Sequence, residues 1–109
     1  MRIVFRDERQ KRLFESSSGL RAKYGDQLAK RIMQRLAEVE AASCLADLRQ
    51  APGKWHELKG DRKGQLACRL TGNQRLIFSP TSPPGTDNTT GLDWKAVEEL
   101  TVVEVIDYH

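Results

Sequence analysis

The apolar spacing of this chain changes period near Pro52-Gly53, and that change limits it to a narrow set of folds. Before the switch, Leu28, Ile32, Leu36 and Val39 recur at steps of four, four and three, with Ala29 and Met33 beside them. Such spacing draws one apolar stripe down a helix that starts near Asp26 and ends near Ala42. After the switch, residues 65–71 and 75–79 alternate apolar and polar around Gly72-Asn73, which reads as a hairpin. Residues 101–106 hold Val102, Val103, Val105 and Ile106, a strand apolar on both faces and so expected at the centre of a sheet. Helices followed by hairpin-linked strands give an α+β fold, with the helices on one face of a small, mainly antiparallel sheet.

The remaining segments fill in this plan. Residues 3–5 read as a short first strand, and Asp7 as the cap of a helix reaching about residue 16. Ser16-Ser17-Ser18-Gly19 reads as a break, and Asp26 as the cap of the long helix. Lys30, Arg31, Arg35 and Glu38 fall off the stripe and read as a solvated face. Ser43 is a cap for a short turn through Leu45, Leu48 and Arg49. Residues 55–59 form a further strand candidate, and 94–99 a helical turn. Residues 80–93, rich in Pro, Ser, Thr, Gly, Asp and Asn, read as a long exposed loop. Residues 1–109 show no repeat and no linker, so one domain with one modest core is expected.

The hairpin register decides which side chains share a face. A two-residue loop, Gly72-Asn73, would put Arg75 among Leu66, Cys68 and Leu70. A three-residue loop, Gly72 to Gln74, would pair Leu70 with Leu76 and Cys68 with Phe78. A slip of one residue exchanges the faces. The hydrophobic pattern favours the second arrangement, with Leu66, Cys68, Leu70, Leu76 and Phe78 on one side. Gln65, Ala67, Arg69, Arg75 and Ile77 then share the other. Arg69 and Arg75 are therefore expected to project together from the face away from the helices.

Around that pair the sequence gathers base and charge. Lys54, His56, Lys59, Arg62 and Lys63 precede the hairpin, and the final strand leads into Tyr108 and His109. Cutting RNA through its own 2′-hydroxyl needs a base for the 2′ proton, positive charge on the crowded phosphate, and an acid for the leaving 5′-oxygen. Histidine moves protons near neutral pH. Arginine grips two phosphate oxygens at once. Tyrosine stacks on a base. His56 and His109 are the only histidines, Arg69 and Arg75 the forks, Lys59 a point charge and Tyr108 the ring.

Other classes find less support. Cys44 and Cys68 form no CxxC pair and no Cys/His cluster with metal spacing, so no metal and no cofactor are expected. Cys68 alternates with leucines and reads as a buried thiol in a reducing cytosol. The first residues contain an apolar run too short for a signal peptide or a membrane span, which points to a cytoplasmic protein without membrane contact. No Ser/His/Asp triad and no glycine-rich phosphate loop compete. The net charge of +3 suits an anionic partner but is mild by itself.

The run Trp55-His56-Glu57-Leu58-Lys59-Gly60-Asp61-Arg62-Lys63-Gly64 resembles toxins of the RelE/ParE superfamily, most closely the HigB-like plasmid maintenance killer branch. The likeness continues through Arg69, through Gly72-Asn73-Gln74-Arg75-Leu76-Ile77-Phe78, and through Val105-Ile106-Asp107-Tyr108-His109. It implies a RelE-like fold with two N-terminal helices on one face of the sheet. It implies a metal-independent, ribosome-dependent endoribonuclease (an mRNA interferase) that cuts messenger RNA on the ribosome and inhibits translation. The implied partners are ribosomal RNA and a cognate antitoxin, a small helix-turn-helix protein.

The site residues the resemblance implies are His56, Lys59, Arg69, Arg75, Tyr108 and His109. Arg75 would stabilise the phosphate, and His109 with Tyr108 would transfer protons. Lys59 and His56 would bind or polarise the RNA backbone. Lys54, Arg62 and Lys63 would contact RNA or the ribosome. The chain departs from the family at residues 80–97, a loop insertion that could cover the site, contact the ribosome or antitoxin, or hang in solvent, the last being favoured, with Trp94 as the side chain suited to docking. Two rival readings share this fold: a ParE-type DNA gyrase inhibitor, and a non-catalytic antitoxin-binding module.

Overall fold

The computed structural model describes residues 1–81, 86–87 and 91–107. Strand β1 (Arg2–Val4) leads into helices α1 (Glu8–Phe14), α2 (Ser17–Tyr24) and α3 (Asp26–Ala41). A 3-10 turn, Leu45–Gln50, precedes β2 (His56–Glu57). A second turn, Gly60–Arg62, leads to β3 (Leu66–Arg69) and β4 (Gln74–Pro80). Short strands β5 (Thr86–Asp87) and β6 (Gly91–Leu92) then precede β7 (Glu99–Asp107). The main sheet runs β1-β7-β4-β3-β2, and β5 pairs with β6 in a separate ladder. Within the main sheet only the β1–β7 pairing is parallel. The α+β class and the central place of the last strand agree with the sequence.

The helices cover one face. Phe14, Leu20, Ala29, Ile32, Leu36 and Val39 meet Leu66, Cys68, Leu76, Phe78, Leu100 and Val102 in a shared core. The stripe read from the sequence accounts for the α3 half of this contact. Asp7 caps α1 as expected, its carboxylate accepting from the Gln10 amide at 2.8 Å.

Two capping expectations need correction. Ser16-Ser17-Ser18-Gly19 is a helix start and not a break. The Ser16 hydroxyl accepts the Gly19 amide at 2.9 Å, and α2 grows from that cap. The cap of α3 is Gly25, at φ +86°, so Asp26 is the first helical residue. Its carboxylate there suits the positive end of the helix dipole.

The expected solvated face of α3 also needs correction, because Arg35 is buried. Its Nε donates to the Arg69 carbonyl at 2.7 Å, and one Nη donates to Glu38 at 2.9 Å. Gly53 lies against the guanidinium: a Cβ there would sit 2.7 Å from Nε.

The far part of residues 80–97 is docked and does not hang in solvent. Trp94 and Val97 are buried. The Trp94 indole donates to Glu57 at 2.9 Å and lies 4.0 Å under the Arg49 guanidinium. The backbone adds Leu45 N–H to Val97 O at 2.8 Å and Ala46 N–H to Trp94 O at 3.0 Å. The expected loop over 80–93 is likewise shortened, because Pro80 still belongs to β4 and residues 86–87 pair with 91–92.

Candidate functional site

The face of the sheet opposite the helices is built by register. Arg69 pairs directly with Arg75, Ala67 with Ile77, and Cys68 with Leu76. The connection is Thr71-Gly72-Asn73, closed by the Leu70 amide on the Gln74 carbonyl at 3.0 Å. The expected pairs, Leu70 with Leu76 and Cys68 with Phe78, are therefore displaced by two residues. A slip of two leaves every side chain on its face. The expected sharing of a face by Arg69 and Arg75 holds, and the two are closer than expected.

Like charges directly opposite on neighbouring strands repel. Here the turn supplies counter-dipoles. An Arg75 Nη donates to the carbonyls of Thr71 at 2.9 Å, Gly72 at 3.2 Å and Gln74 at 3.0 Å. Arg69 Nε reaches the Thr71 carbonyl at 3.4 Å. Two guanidinium groups thus face one turn from the same side. The backbone of Arg69 is held as well, its amide on Gly53 O at 2.6 Å and its carbonyl on Arg35.

His56 joins this face because it pairs with Ala67. The ring is exposed, and its Nδ1 lies 2.8 Å from the Lys54 carbonyl. A carbonyl only accepts, so that contact places the proton on Nδ1. Neutral His56 then carries its lone pair on Nε2. Lys54 is exposed at the same end, in a left-handed conformation at φ +50°.

The other basic residues lie elsewhere. Lys59 and Lys63 flank the turn Gly60–Arg62 and are exposed. They sit beyond the Leu58–Gln65 backbone contact, four residues or about 13 Å along the strand from Arg69. Arg62 folds back. Its Nη1 donates to Gln65 Oε1 at 3.1 Å, and its Nη2 lies 3.3 Å from Glu104 Oε2.

The open face therefore brings together His56, Arg69 and Arg75, with Arg62 reaching in and the backbone of Lys54 against His56. It leaves Lys59 and Lys63 on the rim. Tyr108 and His109 lie outside the described residues. The residue before them, Asp107, pairs with Gln74 and accepts its side-chain amide at 3.2 Å.

Two contributors escaped the sequence reading. Arg35 occupies a stripe position, since 28, 32, 35 and 39 also recur at four, three and four. Glu104 is the single acid inside the apolar run of β7, and the skip between Ile77/Glu104 and Phe78/Val102 sets it on the open face. Val103 is the extra residue of that bulge. Its carbonyl is satisfied by the Gln10 side chain of α1 at 3.2 Å. Among the described residues, no group of His, Cys, Asp and Glu could hold a metal, and no helix is long and apolar enough to cross a membrane.

No family model matches the chain, and no curated protein is similar to it in sequence. Solved structures are similar in fold. A YoeB/ParE toxin from Agrobacterium tumefaciens aligns at a TM-score of 0.59 and 16% identity, over 100% of both chains. A YoeB-YefM complex from Staphylococcus aureus aligns at 0.56 and 16%, over 100% of this chain and 97% of that one. The YoeB dimer from the same organism gives 0.54 and 17%, with the same coverage. At these identities the likeness is one of fold.

Proposed function

We propose that this chain is the toxin of a type II toxin–antitoxin pair and that it cleaves messenger RNA on the ribosome. The observation that carries the reading is the directly paired Arg69 and Arg75 on the sheet face opposite the described helices. Two guanidinium forks at adjacent positions suit a phosphodiester whose charge grows in the transition state. In the unliganded protein both guanidinium groups donate to turn carbonyls, which aims them at one point.

His56 is suited to take the 2′-hydroxyl proton, because its lone pair is preset on Nε2. The 2′-oxygen then attacks phosphorus, the bond to the 5′-oxygen breaks, and an acid returns a proton to the leaving oxygen. His109, with Tyr108 beside it in sequence, is the proposed acid. Lys54 binds the strand near the arginine pair, and Lys59 and Lys63 engage the more distant backbone. This division changes one expected role: His56 acts as base rather than as a backbone ligand.

The fold supports the toxin class, since it is shared with YoeB toxins, one of them in complex with YefM. By that analogy a cognate antitoxin holds this chain inactive, and a helix-turn-helix antitoxin remains part of the proposal. The HigB-like motif run is the ground for placing the chain in that branch. A cytoplasmic location and a single domain with an insertion at 80–97 complete the reading.

The test is which process fails first when the chain is expressed without a partner. Methionine incorporation is expected to stop within minutes, before plasmid supercoiling changes. Loss of supercoiling first would overturn the proposal in favour of a gyrase poison.

A further inference from the structure

On the open face, two side chains are fully shielded from solvent although none of the described helices packs on that face: Ala67 and Ile77. Both stand in the row His56–Ala67–Ile77–Glu104, which crosses β2, β3, β4 and β7 in order. Arg62 bridges Gln65, at the start of β3, and Glu104 on β7. Neighbouring strands lie about 4.8 Å apart, so a side chain joining β3 to β7 must pass above β4. Arg62 therefore reaches from the start of β3 toward Glu104, which pairs with Ile77 across β4 and β7. Ile77 and Arg75 are two residues apart on the same strand and the same face, about 7 Å. That is the order of the spacing between successive phosphates of one nucleic-acid strand.

We propose that the Arg62 guanidinium is a second phosphodiester-binding position, and that the Glu104 carboxylate fills it in the unliganded protein. The inference rests on the RNA reading of the Arg69/Arg75 face. Glu104 acts as an internal stand-in for phosphate: an RNA strand seated on Arg69 and Arg75 brings its next phosphate to Arg62 and displaces the carboxylate. Both partners are partly exposed, with side-chain exposures of 33% and 46%, so the pair is weak enough to exchange. Glu104 then lowers affinity for strands long enough to reach Arg62 and leaves shorter strands unaffected.

The probe is a fluorescein-labelled, 2′-O-methylated RNA of about ten nucleotides, which binds without being cut. Anisotropy is read over a series of salt concentrations for wild type, Glu104→Gln, Arg62→Gln, the double variant, Arg75→Ala, and Glu40→Gln as a distant charge control. Glu104→Gln is expected to bind three- to tenfold tighter, with a salt slope steeper by about 0.7, one single-strand phosphate contact. Glu40→Gln is expected to change affinity less than twofold. Arg62→Gln in the Glu104→Gln background is expected to abolish the gain.

A gain equal to that of Glu40→Gln, or one that survives Arg62→Gln, overturns the inference. Wild-type binding that Arg75→Ala weakens, with no response to Glu104→Gln, overturns the clasp alone and leaves the RNA reading standing. No RNA binding by any variant overturns the inference, while the ribosome-dependent reading stands or falls on primer extension in the translation system.

Discussion

At the scale of single residues, the buried Arg35 and the glycine packed against it fix the geometry behind the open face. Arg35 spends its hydrogen bonds on Glu38 and on the carbonyl of Arg69. Removing one partner of a buried pair strands the other. Arg35→Met is therefore expected to lower unfolding free energy by about 3 kcal/mol in urea titration. Gly53→Ala should act on the same contact, since its φ is +109° and a Cβ would strike Arg35 Nε. A loss of about 1–3 kcal/mol is expected from that left-handed position. Cys68 is wholly buried, and burial pushes its thiol well above the ordinary range. It should therefore resist a thiol reagent until the protein unfolds, whereas the half-buried Cys44 should react in the native state. Equal labelling rates in the native protein would contradict this. Arg35 was legible in principle, because its position continues the stripe. A charged residue type argued against burial, and the bonds that permit burial come from strands distant in sequence.

At the scale of elements, the sequence speaks clearly where period and caps agree. The stripe of α3 and the alternation of β3 and β4 gave correct faces. What it missed has physical reasons. A period of two is blind to a slip of two, so the hairpin pairing was settled by the turn's own bonds. Asn73 and Gln74 have no left-handed backbone; Thr71 Oγ1 accepts the Gln74 amide, and Arg75 binds the turn carbonyls. The serine run was ambiguous because Ser both ends and starts helices. Ser16→Ala should cost about 1 kcal/mol, the usual value of a lost N-cap, measured by thermal or urea unfolding. The docking of residues 91–97 depends on Glu57 and Arg49, which no local pattern links to Trp94. Trp94→Ala is expected to cost about 3–5 kcal/mol in stability. A change below 1 kcal/mol would mean that the segment does not support β2.

At the scale of the whole molecule, the two faces of the sheet have separate work. One is closed by α1, α2 and α3 into the core. The other carries the paired arginines, the preset His56 and the Arg62–Glu104 clasp. The sequence indicated this division through the alternation of Arg69 and Arg75 with core residues. It could not show the direct pairing or the clasp, since both depend on register and on the bulge at Val103.

The central claim is that the open face cuts RNA during translation. The most direct measurement is primer extension on a reporter message in a purified translation system, with and without ribosomes. Wild-type protein is expected to give cuts within translated codons that vanish without ribosomes. Arg75→Ala is expected to reduce them by about 10²–10³-fold, the usual effect of losing one transition-state charge donor. An intact message with wild-type protein, or cuts that survive Arg75→Ala unchanged, would contradict the claim.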